Sequence, residues 1–333
     1  MRELVSVAPD GAELFIDGVV RRVTGLDSGT DDEVDGVAFT TLRDLGALRC
    51  VFATANDVHF GETVCGHVEG GTSFEVFHSE EGEAPYPEVM SAAVVADIAT
   101  CSPAAVVVKG DLTDDGVDED YARFLDVWGG AFGTRLVHVR GNHDCFRGQT
   151  FAAWPCQSRA LDGVTLALLD TSRAHHASGF VDSDQLAWLD ELGRTTHQPV
   201  VVLGHHPVWN PGRDQRSESF QGIAPDDSAA LVEVMARRPA LCCYLAGHTH
   251  RNLRQTIGGI PFVEIACVKD FPGGWAEYRV HERGIAQVFH RASSRAAIAW
   301  AERTRAMFAG FYGAYAMGSL ADRSFVIETP VSG

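Results

Sequence analysis

Leu245-Ala246-Gly247-His248-Thr249-His250-Arg251 closes an apolar run, Leu241 to Ala246, with a glycine and two histidines one residue apart. A run this short and this apolar reads as a buried strand. On extended backbone, residues i and i+2 point the same way, so His248 and His250 are expected to face one site where the strand ends. A pair of half-exposed strand residues would look the same, and the pair alone decides nothing. The reading is decided by four earlier apolar runs that end in the same kinds of residue.

Cys50–Ala55 runs into Asn56-Asp57-Val58-His59, and Ala104–Lys109 into Gly110-Asp111. Arg135–Val139 leads to Gly141-Asn142-His143-Asp144, and Pro199–Leu203 to Gly204-His205-His206-Pro207. A further strand, Val164–Leu169, ends in Asp170. Helical spacing is expected over Glu88–Thr100, Tyr121–Trp128, Asp184–Leu192 and Ser228–Arg237. Ile260–Val268 and Trp275–Val280 read as later strands, and the Ala-rich stretch Arg295–Met317 as a C-terminal helix. Residues 60–87 are rich in Gly and Glu with no period, which predicts a long loop. Strands alternating with helices predict a layered α/β fold. Polar strand ends then fall where such folds build their sites, beyond the carboxyl ends of the strands.

The chain has 333 residues, 45% of them apolar, enough for one large domain with appendages. We divide it into a small β-rich appendage over 1–49, with a hairpin at Asp17-Gly18, a catalytic domain over 50–284 and a helical extension over 285–333. Val23–Leu42 resembles the closing strands of a fibronectin type III-like sandwich, but the appendage is too short for a whole one. The formal charge of −18 disfavours duplex nucleic acid, whose phosphates need Lys and Arg. No basic stretch followed by an apolar one opens the chain, and no run approaches the roughly 18–20 apolar residues of a membrane span. Eight scattered cysteines without a Cys-x-x-Cys pair predict reduced thiols and a soluble, cytoplasmic protein. Cys145 and His138 are expected to pack rather than react.

Each strand end by itself has an ordinary explanation: Gly-Asp as a turn, Asn-His-Asp as a helix cap, His-His-Pro as a rigid loop entry. In order, however, they resemble the calcineurin-like metallophosphoesterase superfamily. Its pattern is Asp-x-His, Gly-Asp, Gly-Asn-His-Asp/Glu, His and Gly-His-x-His, and all five blocks fall within residues 57–250. The resemblance implies a four-layer α/β/β/α sandwich and two divalent metal ions. Asp57, His59, Asp111 and His250 would hold one ion, and Asp111 would bridge to a second completed by Asn142, His205 and His248. The residue types agree independently of the name. Carboxylate, imidazole and carboxamide groups suit Mn, Fe, Zn or Co, and seven ligands suit two ions roughly 3.5–4 Å apart better than one. The resemblance further implies a hydroxide between the ions as nucleophile, since coordination lowers a water's pKa to about 7. It makes His143 the residue that stabilises the transition state or protonates the leaving oxygen. Asp144 is then placed to orient that imidazole, and His206 to stand beside the ions or face substrate.

Purple acid phosphatases of the same superfamily carry a Tyr ligand three residues after the Gly-Asp aspartate, where this chain has Asp114. Gly110-Asp-Leu-Thr-Asp, Gly141-Asn-His-Asp, Gly204-His-His-Pro and the Gln185-Leu-Ala-Trp-Leu189 helix are instead similar to the class III cyclic nucleotide phosphodiesterase branch. That implies a small phosphodiester as substrate, a cyclic nucleotide first. A phosphomonoesterase, a glycerophosphodiesterase, a nuclease and a non-catalytic scaffold are the rival readings; the filled ligand set argues against the last. Substrate-facing segments fall at 60–87, 147–180 and 207–225, where His175, His176, Arg173, Trp209 and Arg213 could meet substrate or simply lie on the surface. Phe311, Tyr312 and Tyr315 stand at helical spacing, which more often means packing than a ligand box. A homodimer is common for such enzymes, and the sequence does not decide it.

Overall fold

A computed structural model of the chain describes residues 2–67, 74–212 and 222–329. Six strands lie in residues 2–55 before the helices begin: β1 (Arg2–Ala8), β2 (Gly11–Ile16), β3 (Val19–Thr24), β4 (Asp31–Val34), β5 (Val37–Thr40) and β6 (Leu48–Ala55). Helix α1 (Tyr86–Thr100) starts with Pro87 in its first turn, a position that needs no N–H donor. Strand β7 (Ala105–Lys109) follows, then α2 (Asp118–Phe124), which runs through a π-turn at Leu125–Gly129 into α3 (Gly130–Phe132). Next come β8 (Leu136–Val139), β9 (Cys156–Leu161), β10 (Val164–Leu169), α4 (Ser183–Thr195), β11 (Val200–Leu203), α5 (Pro225–Arg237) and β12 (Leu241–Ala246). The chain closes with β13 (Leu253–Ile257), β14 (Ile260–Glu264), β15 (Gly274–His281), β16 (Gly284–Arg291), α6 (Arg295–Thr304), α7 (Phe311–Met317), α8 (Leu320–Arg323) and β17 (Ser324–Ile327).

Two six-stranded mixed sheets form the body, ordered β17-β16-β15-β6-β7-β8 and β13-β14-β12-β11-β10-β9. Strands β6, β7 and β8 run parallel in one, as do β10, β11, β12 and β14 in the other. Alternation along the strands shows the layering. Leu166, Leu168, Val201, Leu203, Cys243 and Leu245 share one core with Phe52, Val106 and Tyr278 of the opposite sheet. Their neighbours Ala167, Leu169, Val200, Val202 and Tyr244 share a second core with Leu189 of α4 and Leu231 and Val234 of α5. Both faces of these strands are therefore covered, which is why their sequences are continuously apolar. Met90, Val94 and Ile98 of α1 and Trp300 of α6 belong to the first core. The result is the expected α/β/β/α sandwich.

The Asp17-Gly18 hairpin is present, with both residues at positive φ (50° and 84°), the backbone that a tight two-residue turn requires. It belongs to a separate three-stranded sheet, β1-β2-β3, beside a β4–β5 hairpin. The C-terminal stretch departs from the expected single helix. Phe308 and Ala309 take left-handed backbone (φ 53° and 57°), so the chain breaks between α6 and α7. Beyond residue 284, moreover, β16 and β17 are strands of the first sheet, paired antiparallel. Their alternation was masked by burial on both faces: every residue of β16 is buried.

Candidate metal centre

Five parallel strands, β6, β7 and β8 of one sheet and β11 and β12 of the other, bring their carboxyl ends to a common edge. The expected ligand residues stand just beyond them. Asp57 and His59 follow β6, Asp111 follows β7, Asn142 and His143 follow β8, His205 follows β11, and His248 and His250 follow β12. The chain turns sharply here. Asp57, His59, Asp111, His248 and His250 all have positive φ, between 46° and 69°. Such backbone costs a non-glycine residue roughly 1–3 kcal/mol and concentrates at functional sites. It also corrects the expectation from strand alternation. His248 and His250 converge because a left-handed turn aims them, not because an extended strand does.

One ligand atom from each of Asp57, His59 and His250 lies within 4.8 Å of the others, and the same holds for Asp57, Asp111 and His205. Nε2 of His205 is 3.2 Å from Asp111 Oδ2, Nε2 of His59 is 3.5 Å from the same oxygen, and Nε2 of His250 is 3.3 Å from Asp57 Oδ1. The Nδ1 side of each ring is backed by an acceptor. His205 Nδ1–H donates to the Lys109 carbonyl at 2.8 Å, His59 Nδ1 faces Asp114 Oδ1 at 3.5 Å, and His250 Nδ1 faces Asp270 Oδ2 at 3.6 Å. For His205 this is the arrangement that fixes a metal-binding tautomer, with Nε2 free to coordinate.

The inward atoms are left without hydrogen bonds. Among the described residues, Asp57 Oδ1, His59 Nε2, His205 Nε2 and Asn142 Oδ1 are buried with no such partner. Buried polar atoms are rarely left so, and two divalent cations would satisfy all four. The electrostatics agree. Burial lowers the pKa of His205 and His59, but the Asp111 carboxylate outweighs it and holds both up to about 9. The pocket therefore demands positive charge. Asp57 and Asp111, pushed up by burial, are pulled well below the usual carboxylate range by the surrounding histidines.

The motif glycines have a packing reason. A Cβ on Gly141 would lie 2.1 Å from Asp111 Oδ1, and one on Gly247 would lie 2.8 Å from Asp57 Oδ2. Any side chain there would occupy the space of a ligand carboxylate.

Two expectations need correction. Asp144 does not orient His143. Its buried carboxylate accepts from the N–H groups of Leu112, Thr113 and Gly141 and from the Thr113 hydroxyl, which ties the turn after β7 to the turn after β8. The acceptor for His143 Nδ1–H is the Asp114 carbonyl at 2.5 Å. His206 does not face substrate. Its ring lies beside His205 and His248, but Nδ1 accepts from the Thr171 hydroxyl at 2.9 Å and Nε2–H donates to the Ala177 carbonyl at 3.2 Å. Both nitrogens are spent on holding the 171–179 loop. Arg173 and His176 sit exposed on that loop. The Arg173 guanidinium lies over the Phe180 ring, and His176 N–H donates to the Arg173 carbonyl. Arg213 lies outside the described residues. His138 and Cys145 are buried in packing positions as expected, with His138 Nε2 2.9 Å from the Tyr121 hydroxyl.

Sequence reasoning passed over Asn56, Lys109 and Asp270. Lys109 is fully buried behind the site and donates to Asn56 Oδ1 at 2.6 Å and to the Ala246 carbonyl at 2.9 Å; Asn56 in turn donates to Asp57 Oδ2. A lysine closing an otherwise apolar strand was the available signal, since a buried ammonium needs partners.

Residues 52–252 match the family model of calcineurin-like phosphoesterases. The chain belongs to that family. Among curated proteins it is 26% identical over 208 residues to a "Probable cyclic nucleotide phosphodiesterase" of Synechococcus, a match covering 58% of this chain and 78% of that one. It is 33% identical over 167 residues to the glycerophosphodiester phosphodiesterase GpdQ of Enterobacter lignolyticus, covering 46% and 58% of the two chains. A cAMP/cGMP dual specificity phosphodiesterase of Mycobacterium tuberculosis is 31% identical over 171 residues, covering 48% and 52%. The chain thus spans little more than half the length of the latter two. Among solved structures, a dimetal phosphatase from Danio rerio shares the fold with a TM-score of 0.59 at 15% identity, over 85% of this chain and 100% of that one. Among the described residues no helix is long and apolar enough to cross a membrane.

Proposed function

We propose that this phosphoesterase hydrolyses a small phosphodiester, a cyclic nucleotide first, with two divalent ions. One ion would be held by Asp57, His59, Asp111 and His250, and the other by Asp111, Asn142, His205 and His248. The observation that carries the reading is the set of buried, inward-facing atoms without hydrogen bonds at Asp57, His59, Asn142 and His205. When bound, such ions supply an ionised water near neutral pH and positive charge beside the phosphoryl oxygens. The chain supplies the rest. Asp111 offers one carboxylate to both positions, while its Oδ1 accepts the His143 N–H at 3.0 Å and so fixes the Asn142-His143 turn.

His143 has the geometry of a proton donor. Its Nδ1–H is committed to the Asp114 carbonyl, so Nε2 is the end left for substrate, and its side chain is 40% exposed where His59 and His205 are enclosed. An imidazolium so placed, protonated at both nitrogens, reaches the leaving oxygen and transfers its Nε2 proton as that bond breaks. The named relatives support a diester: two carry cyclic nucleotides and one a glycerophosphodiester in their names.

The test is hydrolysis of bis-p-nitrophenyl phosphate beside p-nitrophenyl phosphate with added manganese, using wild type, Asn142→Ala and His143→Ala. Faster diester cleavage is expected. His143→Ala should lose about 10²-fold or more in kcat while retaining its ions, and Asn142→Ala should lose metal as well. Faster monoester cleavage would move the assignment to a phosphomonoesterase. Metal-loaded protein that cleaves neither ester would sink the diesterase reading.

A further inference from the structure

Helix α7 lies beyond the stretch that matches the family, yet it meets the His248-Thr249-His250 turn directly at Thr249 and, through Asp270, behind His250. Tyr312 and Tyr315, three residues apart, share a face of the helix. The Tyr315 hydroxyl donates to the Thr249 carbonyl, between the two histidines, at 3.0 Å. The buried Tyr312 hydroxyl donates to Asp270 Oδ1 at 2.5 Å, and the other oxygen of Asp270 faces His250 Nδ1 at 3.6 Å. Just past the turn, Asn252 N–H donates to the Ala316 carbonyl of the same helix at 2.9 Å. Ring packing alone would need none of these polar contacts.

We propose that α7 is a positioning clamp for the two C-terminal histidines, with Tyr312 and Tyr315 as its positioning residues. This rests on the reading that His248 and His250 hold the ions. Both have left-handed backbone, at φ 69° and 54°, a conformation that persists only when its surroundings impose it. Tyr315 holds the carbonyl of the residue between them. Tyr312 holds the Asp270 carboxylate by Oδ1, which sets Oδ2 behind Nδ1 of His250 and leaves Nε2 aimed at Asp57, 3.3 Å away. Partners of this kind, one step behind a ligand, typically change metal affinity by about 10–100-fold when removed.

The test is cobalt(II) titration of the metal-free full-length chain, followed by visible absorption and by chelator competition. The proteins are wild type, Tyr312→Phe and Tyr315→Phe, with Tyr121→Phe as a control that removes a hydroxyl from His138 instead. Wild type should take up two equivalents. Each clamp variant should bind one of them about tenfold more weakly, with an altered spectrum, and the control should match wild type. Variants that melt earlier but keep wild-type affinity, within about twofold, and an unchanged spectrum would overturn the clamp and leave only packing. A wild-type chain that takes up no cobalt would overturn the site reading itself, and the clamp with it. Should Tyr312→Phe fail to fold, Tyr315→Phe, at a half-buried position, carries the test.

Discussion

Among the described residues, two buried clusters set histidine against carboxylates, and one of the two has the marks of a site. In the first, Asp57, Asp111, His59 and His250, all on left-handed backbone, crowd together with His205, and inward atoms of Asp57, His59 and His205 have no hydrogen bond. The second joins the N-terminal sheet to the body. His290 of β16 sits between Glu13 of β2 (2.6 Å) and Glu277 of β15 (3.2 Å); Arg22 meets Glu13 at 2.8 Å, and Arg291 N–H donates to its other oxygen. All of these residues lie on regular strands, and both nitrogens of His290 have carboxylate partners. Residue types and burial are alike in the two clusters. What differs is whether the ionisable groups complete each other or await something else.

The comparison breaks most sharply at Asp111. Asp111→Asn should lose activity by on the order of 10³-fold or more, because the carboxylate offered to both ions is gone. Metal analysis should find fewer than two ions per chain. A variant that keeps both ions and activity within about tenfold of wild type would remove Asp111 from the site.

Glu13→Gln should do the reverse. Removing one partner of a buried ion pair costs about 3–5 kcal/mol, visible in urea unfolding, while metal content and kcat of the folded fraction stay at wild-type values. Loss of metal in this variant would mean that the two clusters are coupled, and the distinction drawn here would fail.

Much of the first cluster was legible in the sequence because strand ends are local. An apolar run followed by Gly-Asp or Gly-Asn-His states both the strand and the residue beyond its carboxyl end. The glycines carry that signal for a physical reason, as the Asp111 oxygen within 2.1 Å of a Cβ on Gly141 shows. The role of Asp144 was misread because adjacency to His143 says nothing about where a short carboxylate turns; here it turns to three backbone N–H groups. Of the two readings of His206, the place beside His205 and His248 stands and the substrate-facing one fails, since a loop roughly thirty residues away takes both of its nitrogens. Asp270 and Tyr312 could not have been found by spacing at all, for they reach the site through tertiary packing. The second cluster was equally silent: Glu13 stands on β2, 277 residues before His290 of the β15–β16 hairpin. Strand β16 hid its alternation by being buried on both faces.

The smallest expected effect is a pH dependence peculiar to the second cluster. Burial pulls the His290 pKa down, but Glu13 and Glu277 outweigh it and leave it raised above the usual 6.5. Its stabilisation is therefore complete below 6.5 and is lost as pH rises through the raised value. Burial pushes Glu277 up, but the His290 hydrogen bond and charge, with Arg279, bring it down from 4.5 to about 2. That contribution is complete above 4.5 and is lost as pH falls toward about 2. The advantage of wild type over His290→Gln should thus be greatest between these limits and shrink on both sides. Its size should be about 2 kcal/mol, that of one hydrogen bond between charged groups. Urea unfolding with a chelator present, at about pH 5.5 and about pH 9.5, keeps the metal centre out of the measurement. An advantage that grows toward alkaline pH would mean that His290 is neutral in the folded chain. Its two carboxylates would then be held by Arg22 and Arg279 alone.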